Sequence, residues 1–390
     1  MSAPSRPEPN YFGAGPALLP TNVLEEAAAD LLNYQSLGVG VGEMSHRSSQ
    51  ATDIINETKE NFNKILNIPD THEVFFAQGG GTGGFAAVVY NMLASFAQKT
   101  GKKGKVDYFI TGAWSQKASE EAERLGADVN IVADARKFNN GKYGVIPAKS
   151  EWKFSDPSET AYVYYCDNET VAGVEFAEVP EVPEGVELVA DMSSNILSKE
   201  LDVSKFGLIF GGAQKNIGIA GVSFYVIKKS LLDRLPQKEA NALGIQVCPI
   251  FLDFPSIVKN NSAYNTVSIL CIHIINLVLK NLLAKGGLSA QESLSKRKAQ
   301  KVYSILDQNP ALFNLPVDKS ARSNMNIVFT INGEGNEEKF LKGSSARGLS
   351  GLKGHRSVGG IRVSNYNAVT EESIDKLIEF VKDFIKEASV

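Results

Sequence analysis

A lysine set among small residues is the most reactive feature of this chain. In Phe210-Gly211-Gly212-Ala213-Gln214-Lys215-Asn216-Ile217-Gly218 an apolar strand pattern ends and Lys215 follows in a tight, glycine-rich stretch. Surface lysines usually have polar neighbours. A lysine in this setting is suited to lose its proton by burial and to attack a carbonyl carbon as a neutral amine. A solvated lysine is the plain alternative. A second candidate is Asp191, which ends the apolar run of Leu188-Val189-Ala190-Asp191-Met192-Ser193-Ser194. Ligands of open α/β sheets bind at such strand ends. A carboxylate there can keep a ring nitrogen protonated, or it can simply cap a helix. A third is Gln78-Gly79-Gly80-Gly81-Thr82-Gly83-Gly84-Phe85, between a strand pattern at 74–77 and a helix pattern at 85–93. Glycines let backbone N–H groups approach an anion, a helix N-terminus favours negative charge, and Thr82 adds a hydroxyl.

An anion cradle, an acid for a pyridine nitrogen and an amine for an aldehyde are the three anchors of pyridoxal 5'-phosphate (PLP). Trp114, at the end of its own strand pattern, supplies a flat ring to stack on a pyridine. The glycines also satisfy G-x-G-x-x-G from Gly79 to Gly84, so a nicotinamide cofactor is the competing reading. It requires an acid at the end of the next strand, where Ile110-Thr111-Gly112-Ala113-Trp114 has none. A nucleotide P-loop requires Gly-Lys-Ser/Thr, and Phe85-Ala86 stands there instead. A tight turn without a ligand is the bland reading of the glycines alone.

Cations form a fourth group. Two of the four histidines occur in the same tripeptide, His46-Arg47-Ser48 and His355-Arg356-Ser357, and Arg362 follows the second. Adjacent His and Arg present several donors to a dianion, and the arginine fork suits carboxylate or phosphate. Gly351, Gly354, Gly359 and Gly360 predict a loop open to close backbone approach. The set suits a substrate with an anionic group at each end. His72 is expected in a turn and His273 as a packed residue of an apolar helix.

The elements that must position these groups follow from the hydrophobic pattern. Short apolar runs at 74–77, 106–111, 129–132, 162–166, 187–190, 208–210 and 222–227 alternate with helical patterns. Most are continuous and β-branched or aromatic, as expected of a largely parallel sheet covered on both faces. Helices are expected from Thr21, as a cap, to Leu32, and across Ile54 to Leu66. Beyond Tyr264 come an apolar helix, a charged helix at 289–307, strands at 325–331 and 361–364, and a last helix from Thr370. The expected division is an arm at 1–15, a large cofactor-binding domain at 16–266 and a smaller α+β domain at 267–390.

Bulk properties narrow the class. At 390 residues the chain exceeds one compact core. A net charge of −4 gives no basic excess for nucleic acid. Cys166, Cys248 and Cys271 are too scattered for a disulfide framework or zinc site, and a reducing cytoplasm fits. The apolar run at 267–279 is too short to span a bilayer, and the polar, proline-rich N-terminus does not read as a secretory signal. Neither nucleic acid, membrane nor metal is therefore an expected partner.

At this point the chain resembles the phosphoserine aminotransferases, a fold-type I family of PLP-dependent enzymes. The resemblance rests on Phe12-Gly13-Ala14-Gly15-Pro16-Ala17, Glu43-Met44-Ser45-His46-Arg47-Ser48, Gln78-Gly79-Gly80-Gly81, Thr111-Gly112-Ala113-Trp114-Ser115, Asn168-Glu169-Thr170, Asp191-Met192-Ser193-Ser194, Gly212-Ala213-Gln214-Lys215-Asn216, Tyr264-Asn265-Thr266 and Leu352-Lys353-Gly354-His355-Arg356-Ser357-Val358-Gly359-Gly360. These run in order over nearly the whole chain. The resemblance implies that Lys215 carries PLP as a Schiff base, Asp191 pairs with the ring nitrogen, Trp114 stacks on the ring and Thr170 bonds its phenolic oxygen. It implies that Gly81, Thr82 and Gln214 hold the phosphate, with Asn265 and Thr266 from the partner subunit of a homodimer. It assigns Arg362 to the substrate α-carboxylate, and His46, Arg47, His355 and Arg356 to the distal phosphate or carboxylate. The implied reaction joins L-glutamate and 3-phosphohydroxypyruvate to 2-oxoglutarate and O-phospho-L-serine in serine biosynthesis. Val267, Ala172 and Val328 depart from the family pattern without removing a catalytic group. A cysteine desulfurase or small-amino-acid aminotransferase is the nearest rival, and a binding protein without activity is the non-enzyme alternative.

Overall fold

Seven strands form the central sheet of the computed structural model, which describes residues 6–388. Their spatial order is His72–Ala77, Ser223–Lys228, Leu208–Gly212, Glu187–Asp191, Thr160–Cys166, Lys105–Ile110 and Asp128–Asp134. Ser223–Lys228 runs antiparallel to both neighbours; all other pairings are parallel. The sheet is mixed and mostly parallel, as the strand pattern predicts. Side chains of period two explain the continuous apolar runs. Val163 and Tyr165 enter the core on one face, Tyr162 and Tyr164 the core on the other. Helices Ser49–Leu66 and Ile269–Ala284 pack together on the first face. Gly80–Thr100 and Ala113–Arg124 cover the second.

Three local expectations change. The helix expected over 85–93 starts earlier, at Gly80, so the glycine run is its first turn rather than a loop before it. Gly79, at φ +121°, turns the chain out of the strand. A Cβ on Gly84 would lie 2.6 Å from Cδ2 of Phe210, so glycine lets this helix settle onto the sheet. His72 opens the edge strand instead of a turn, buried with Nε2 2.8 Å from the Phe206 carbonyl. Thr21 is the first helical residue rather than the cap, and Pro20 precedes it at the N-cap.

The C-terminal part holds a three-stranded sheet of Phe313–Asn314, Asn326–Ile331 and Ile361–Ser364. Helices Gly287–Asp307, Asn336–Ala346 and Glu371–Ala388 pack around a core that includes Phe329, Phe340, Phe380 and Phe384. Helix Ile269–Ala284 instead places Ile272, Ile275 and Leu279 in the core of the large sheet. Its His273 is packed as expected, 2.7 Å from Asp30. Of the expected arm, residues 1–5 lie outside the described residues. Asn10–Tyr11 pairs in parallel with Leu349–Ser350. Among the described residues no single helix is long and apolar enough to cross a membrane.

Candidate active site

The register of the parallel strands brings their carboxyl ends level: Cys166 pairs with Asp191, and Asp191 with Phe210. The segments that follow these ends therefore meet at one edge of the sheet. They line a cavity of about 90 Å³ whose walls include Gly81, Thr82, Trp114, Thr170, Asp191, Gln214 and Lys215. All seven are among the predicted site residues.

Lys215 is 7% exposed, and its Nζ donates to Thr170 Oγ1 at 2.6 Å. Burial pulls the amine down to about 8, against the opposing pull of Asp191. The backbone of Gly15, at φ +131°, lies against this side chain; a Cβ there would sit 3.4 Å from Lys215 Cε. Asp191 is 4% exposed. Burial raises its pKa, and the Ser193 hydroxyl and N–H, at 2.5 and 2.9 Å from Oδ1, oppose that rise. Both Ser193 donors use Oδ1, which leaves Oδ2 for a further donor.

The residues present fit PLP. In the helix Gly80–Thr100 the first i→i−4 bond runs from Gly83 to Gly79, so the N–H groups of Gly80, Gly81 and Thr82 precede the hydrogen-bonded ladder. That end suits a phosphate. The indole Nε1 of Trp114 is a buried donor with no partner among the described residues, and a polar ligand in the cavity would relieve it.

The predicted substrate-binding cations divide into two groups. Arg362, on strand Ile361–Ser364, donates from Nη1 to the Thr170 carbonyl at 3.3 Å and so joins the lysine cluster. His355 and Arg356 sit on the loop just before it and, like Arg362, do not themselves line the cavity. The Gly354 N–H bonds the Gly360 carbonyl at 2.8 Å, and the N–H groups of Val358 and Gly359 bond His355 O at 3.0 and 2.8 Å. Burial lowers the His355 pKa, and the charges of Arg362, Arg356 and Lys117 lower it further. His46 and Arg47 do not line the cavity of their own chain. They precede Ser48, which caps the helix Ser49–Leu66. Arg47 is exposed, and His46 Nε2 is buried with no partner among the described residues. Asn265 and Thr266 are exposed and also lie off that cavity. Each bonds Gln78: Asn265 Nδ2 donates to Gln78 Oε1 at 2.5 Å, and Gln78 Nε2 to Thr266 O at 3.1 Å.

Two contributors had no role in the sequence reading. Glu169 accepts from Trp114 N and from Ser115 N and Oγ. Asn168 bonds Ser194, Asn326 and Ser323, tying the site to the C-terminal sheet. Their partners lie 26 to 158 residues away, so no local spacing marks them. Cys166 also lines the cavity. Burial pushes its thiol well up, which keeps it protonated and unlike a desulfurase nucleophile. The strand His72–Ala77 that leads into the glycine run is an edge strand whose sole sheet neighbour is antiparallel, unlike the inner parallel strand of a dinucleotide fold.

Residues 10–377 match the family model "Aminotransferase class-V". A phosphoserine aminotransferase of Saccharomyces cerevisiae is 48% identical over 97% of this chain and 98% of its own. The solved phosphoserine aminotransferase of Bacillus circulans subsp. alkalophilus superposes with a TM-score of 0.88 at 37% identity, covering 97% of this chain and 98% of that one. The PLP-bound phosphoserine aminotransferase of Trichomonas vaginalis gives 0.85 at 38%, covering 95% and 99%. The chain belongs to the phosphoserine aminotransferase family, within the class-V aminotransferases.

Proposed function

We propose that this protein is a PLP-dependent phosphoserine aminotransferase, moving the amino group between L-glutamate and 3-phosphohydroxypyruvate to give O-phospho-L-serine and 2-oxoglutarate in serine biosynthesis. The observation that carries this is a buried amine, Lys215, and a buried carboxylate, Asp191, facing one cavity beside a helix N-terminus. When bound, PLP supplies an aldehyde for amines to condense with and a ring that draws electrons from the substrate.

The chain's own residues do the rest. Asp191 holds the ring nitrogen protonated. The N–H groups of Gly81 and Thr82, with Gln214, hold the phosphate. Trp114 covers the ring face, and Thr170 bonds the phenolic oxygen. Lys215, whose amine burial brings to about 8, takes the proton from glutamate Cα and returns it within the closed site. Arg362 binds the α-carboxylate. His355 and Arg356, on a loop shaped by Gly354, bind the distal anion.

The proposal includes a homodimer. Asn265, Thr266, His46 and Arg47 lie off their own chain's cavity. Leu31, Leu32, Leu37 and Val39 form an exposed apolar segment just before His46, the kind of surface a second copy buries. Asn265 and Thr266 of the partner subunit then complete the phosphate site, and His46 and Arg47 the distal site. The arm at 1–15, large domain at 16–266 and small domain at 267–390 form the accompanying division, although helix Ile269–Ala284 packs into the core of the large sheet. A cytoplasmic setting accords with three free cysteines.

The test is a coupled assay of the purified protein with glutamate and several keto acids, alongside its visible spectrum. Preference for 3-phosphohydroxypyruvate is expected, with a PLP band that Lys215→Ala abolishes. Equal turnover of unphosphorylated keto acids would sink the substrate assignment.

A further inference from the structure

We infer that Glu169 is a positioning residue whose buried carboxylate sets the Trp114 ring against the cofactor site. The inference rests on the reading that Trp114 faces the PLP ring. Glu169 is fully buried. Oε1 accepts from Ser115 Oγ at 2.6 Å and Ser115 N at 2.8 Å, and Oε2 accepts from Trp114 N at 3.0 Å. Among the described residues it forms no ion pair with a lysine or arginine. Burial raises its pKa, and these three bonds oppose the rise. Its charge is met instead by the first N–H groups of the helix Ala113–Arg124, where the dipole favours an anion.

A helix start needs no such device. A local Ser or Asp satisfies a leading N–H with a residue next in sequence, and here the preceding residue is Gly112. That glycine lies against Glu169, and a Cβ on it would overlap the carboxyl group. Ser115 completes the clamp. Its hydroxyl donates to Glu169 and accepts from the N–H groups of Thr111 and Gly112 at 3.0 and 3.2 Å, which uses its full capacity.

The origin of the cap explains its purpose. Glu169 stands between Asn168, bonded to Ser194 and Asn326, and Thr170, bonded to Lys215 and, through its carbonyl, to Arg362. The tryptophan backbone and the reactive lysine are thus held by adjacent residues of one short segment. The indole itself has no hydrogen bond among the described residues; its polar neighbour is Lys117 Nζ, 4.7 Å from the ring centroid. The ring is therefore placed through its backbone, and that backbone is fixed by Glu169.

The test uses the holoenzyme of Trp152→Phe, in which Trp114 is the only tryptophan, with and without Glu169→Gln. The glutamine keeps the volume of the side chain. Its single carbonyl serves one position while its amide group opposes an N–H. Quenching of Trp114 fluorescence by bound PLP, PLP affinity and KM for 3-phosphohydroxypyruvate are measured. Glu169→Gln is expected to lose most of the quenching and weaken PLP binding on the order of 10-fold or more, with KM within about threefold. Unchanged quenching and affinity would overturn the inference. Absence of quenching in the parent itself would instead overturn the placement of Trp114 against the ring. If Glu169→Gln does not fold, amide exchange in the parent decides: slow exchange at Trp114 and Ser115 supports the clamp, and exchange at the rate of unbonded amides overturns it.

Discussion

Replacing Asp191 by Asn isolates a charge while preserving shape. The amide oxygen still accepts both Ser193 donors at Oδ1, so the local fold is retained. What is lost is the anion facing a protonated ring nitrogen. A hydrogen-bonded ion pair about 3 Å apart is worth roughly 5 kcal/mol at an effective dielectric of about 20. Part of that is returned by the amide dipole, so kcat is expected to fall about 10²–10⁴-fold. The assay is steady-state turnover at saturating glutamate and 3-phosphohydroxypyruvate, with a thermal melt to confirm folding. A second consequence is independent of turnover. Asp191 is the largest charge opposing the depression of the Lys215 amine. Without it, that amine in the cofactor-free enzyme should titrate below its value of about 8. The pH dependence of PLP association would report this. A folded Asp191→Asn enzyme with kcat within about threefold of the parent would refute the pairing.

Lys215→Ala should remove nearly all turnover along with the PLP band, and retained turnover contradicts the amine's role. In the cofactor-free protein, the folded Lys215 amine loses its proton near pH 8 while the unfolded one keeps it to about 10.5. Stability should therefore rise with pH across that window by up to about 3 kcal/mol more in the parent than in Lys215→Met; parallel melting curves for the two proteins would remove this linkage. Arg47→Ala and Arg356→Ala should each raise KM for 3-phosphohydroxypyruvate about 10–1000-fold, and an unchanged KM would remove that residue from the distal site. Gly354→Ala places a Cβ against the Gly359 carbonyl and should raise the same KM while leaving the PLP spectrum intact. A spectrum that shifts instead would mean that the loop shapes the cofactor site.

The legible part of the molecule was the part with a local signal. The tyrosine-rich run at 162–166 declared a strand buried on both faces, and its side chains do divide between the two cores. Lys215 and Asp191 each followed or ended an apolar run, and such ends meet by the register of parallel strands; the glycines reach the same edge because His72–Ala77 and Leu208–Gly212 both pair antiparallel with Ser223–Lys228. The glycine helix began earlier than expected because helix propensity penalises glycine, whereas here Gly84 is required by the ring of Phe210. His72 looked like a turn residue after Pro69-Asp70-Thr71, but its bond to the distant Phe206 carbonyl satisfies it within a strand. Glu169 and Asn168 stayed silent for the same reason: their partners arrive from other elements, and one sequence carries no mark of that pairing.

The reactivity of the site follows from where its charges are neutralised. The cavity holds a carboxylate, a thiol and an amine within one wall, and another carboxylate behind Trp114. Burial pushes the acids and the thiol up and the amine down, so every group is drawn toward its neutral form. Only those given dedicated donors resist. Asp191 has Ser193, and Glu169 has Ser115 and the helix start. Cys166 donates its thiol proton to the Asn168 carbonyl at 3.4 Å and has no cation of its own. Lys215 has one neutral acceptor, Thr170, at 2.6 Å. The donors on Asp191 and Glu169 thus oppose the pull of burial on the two carboxyls, while the thiol stays protonated and the amine comes down to about 8. A second acceptor for Nζ, or a carboxylate in place of Thr170, would fix the lysine as a permanent cation and cost it the chemistry; Thr170→Asp should accordingly lose turnover while still folding.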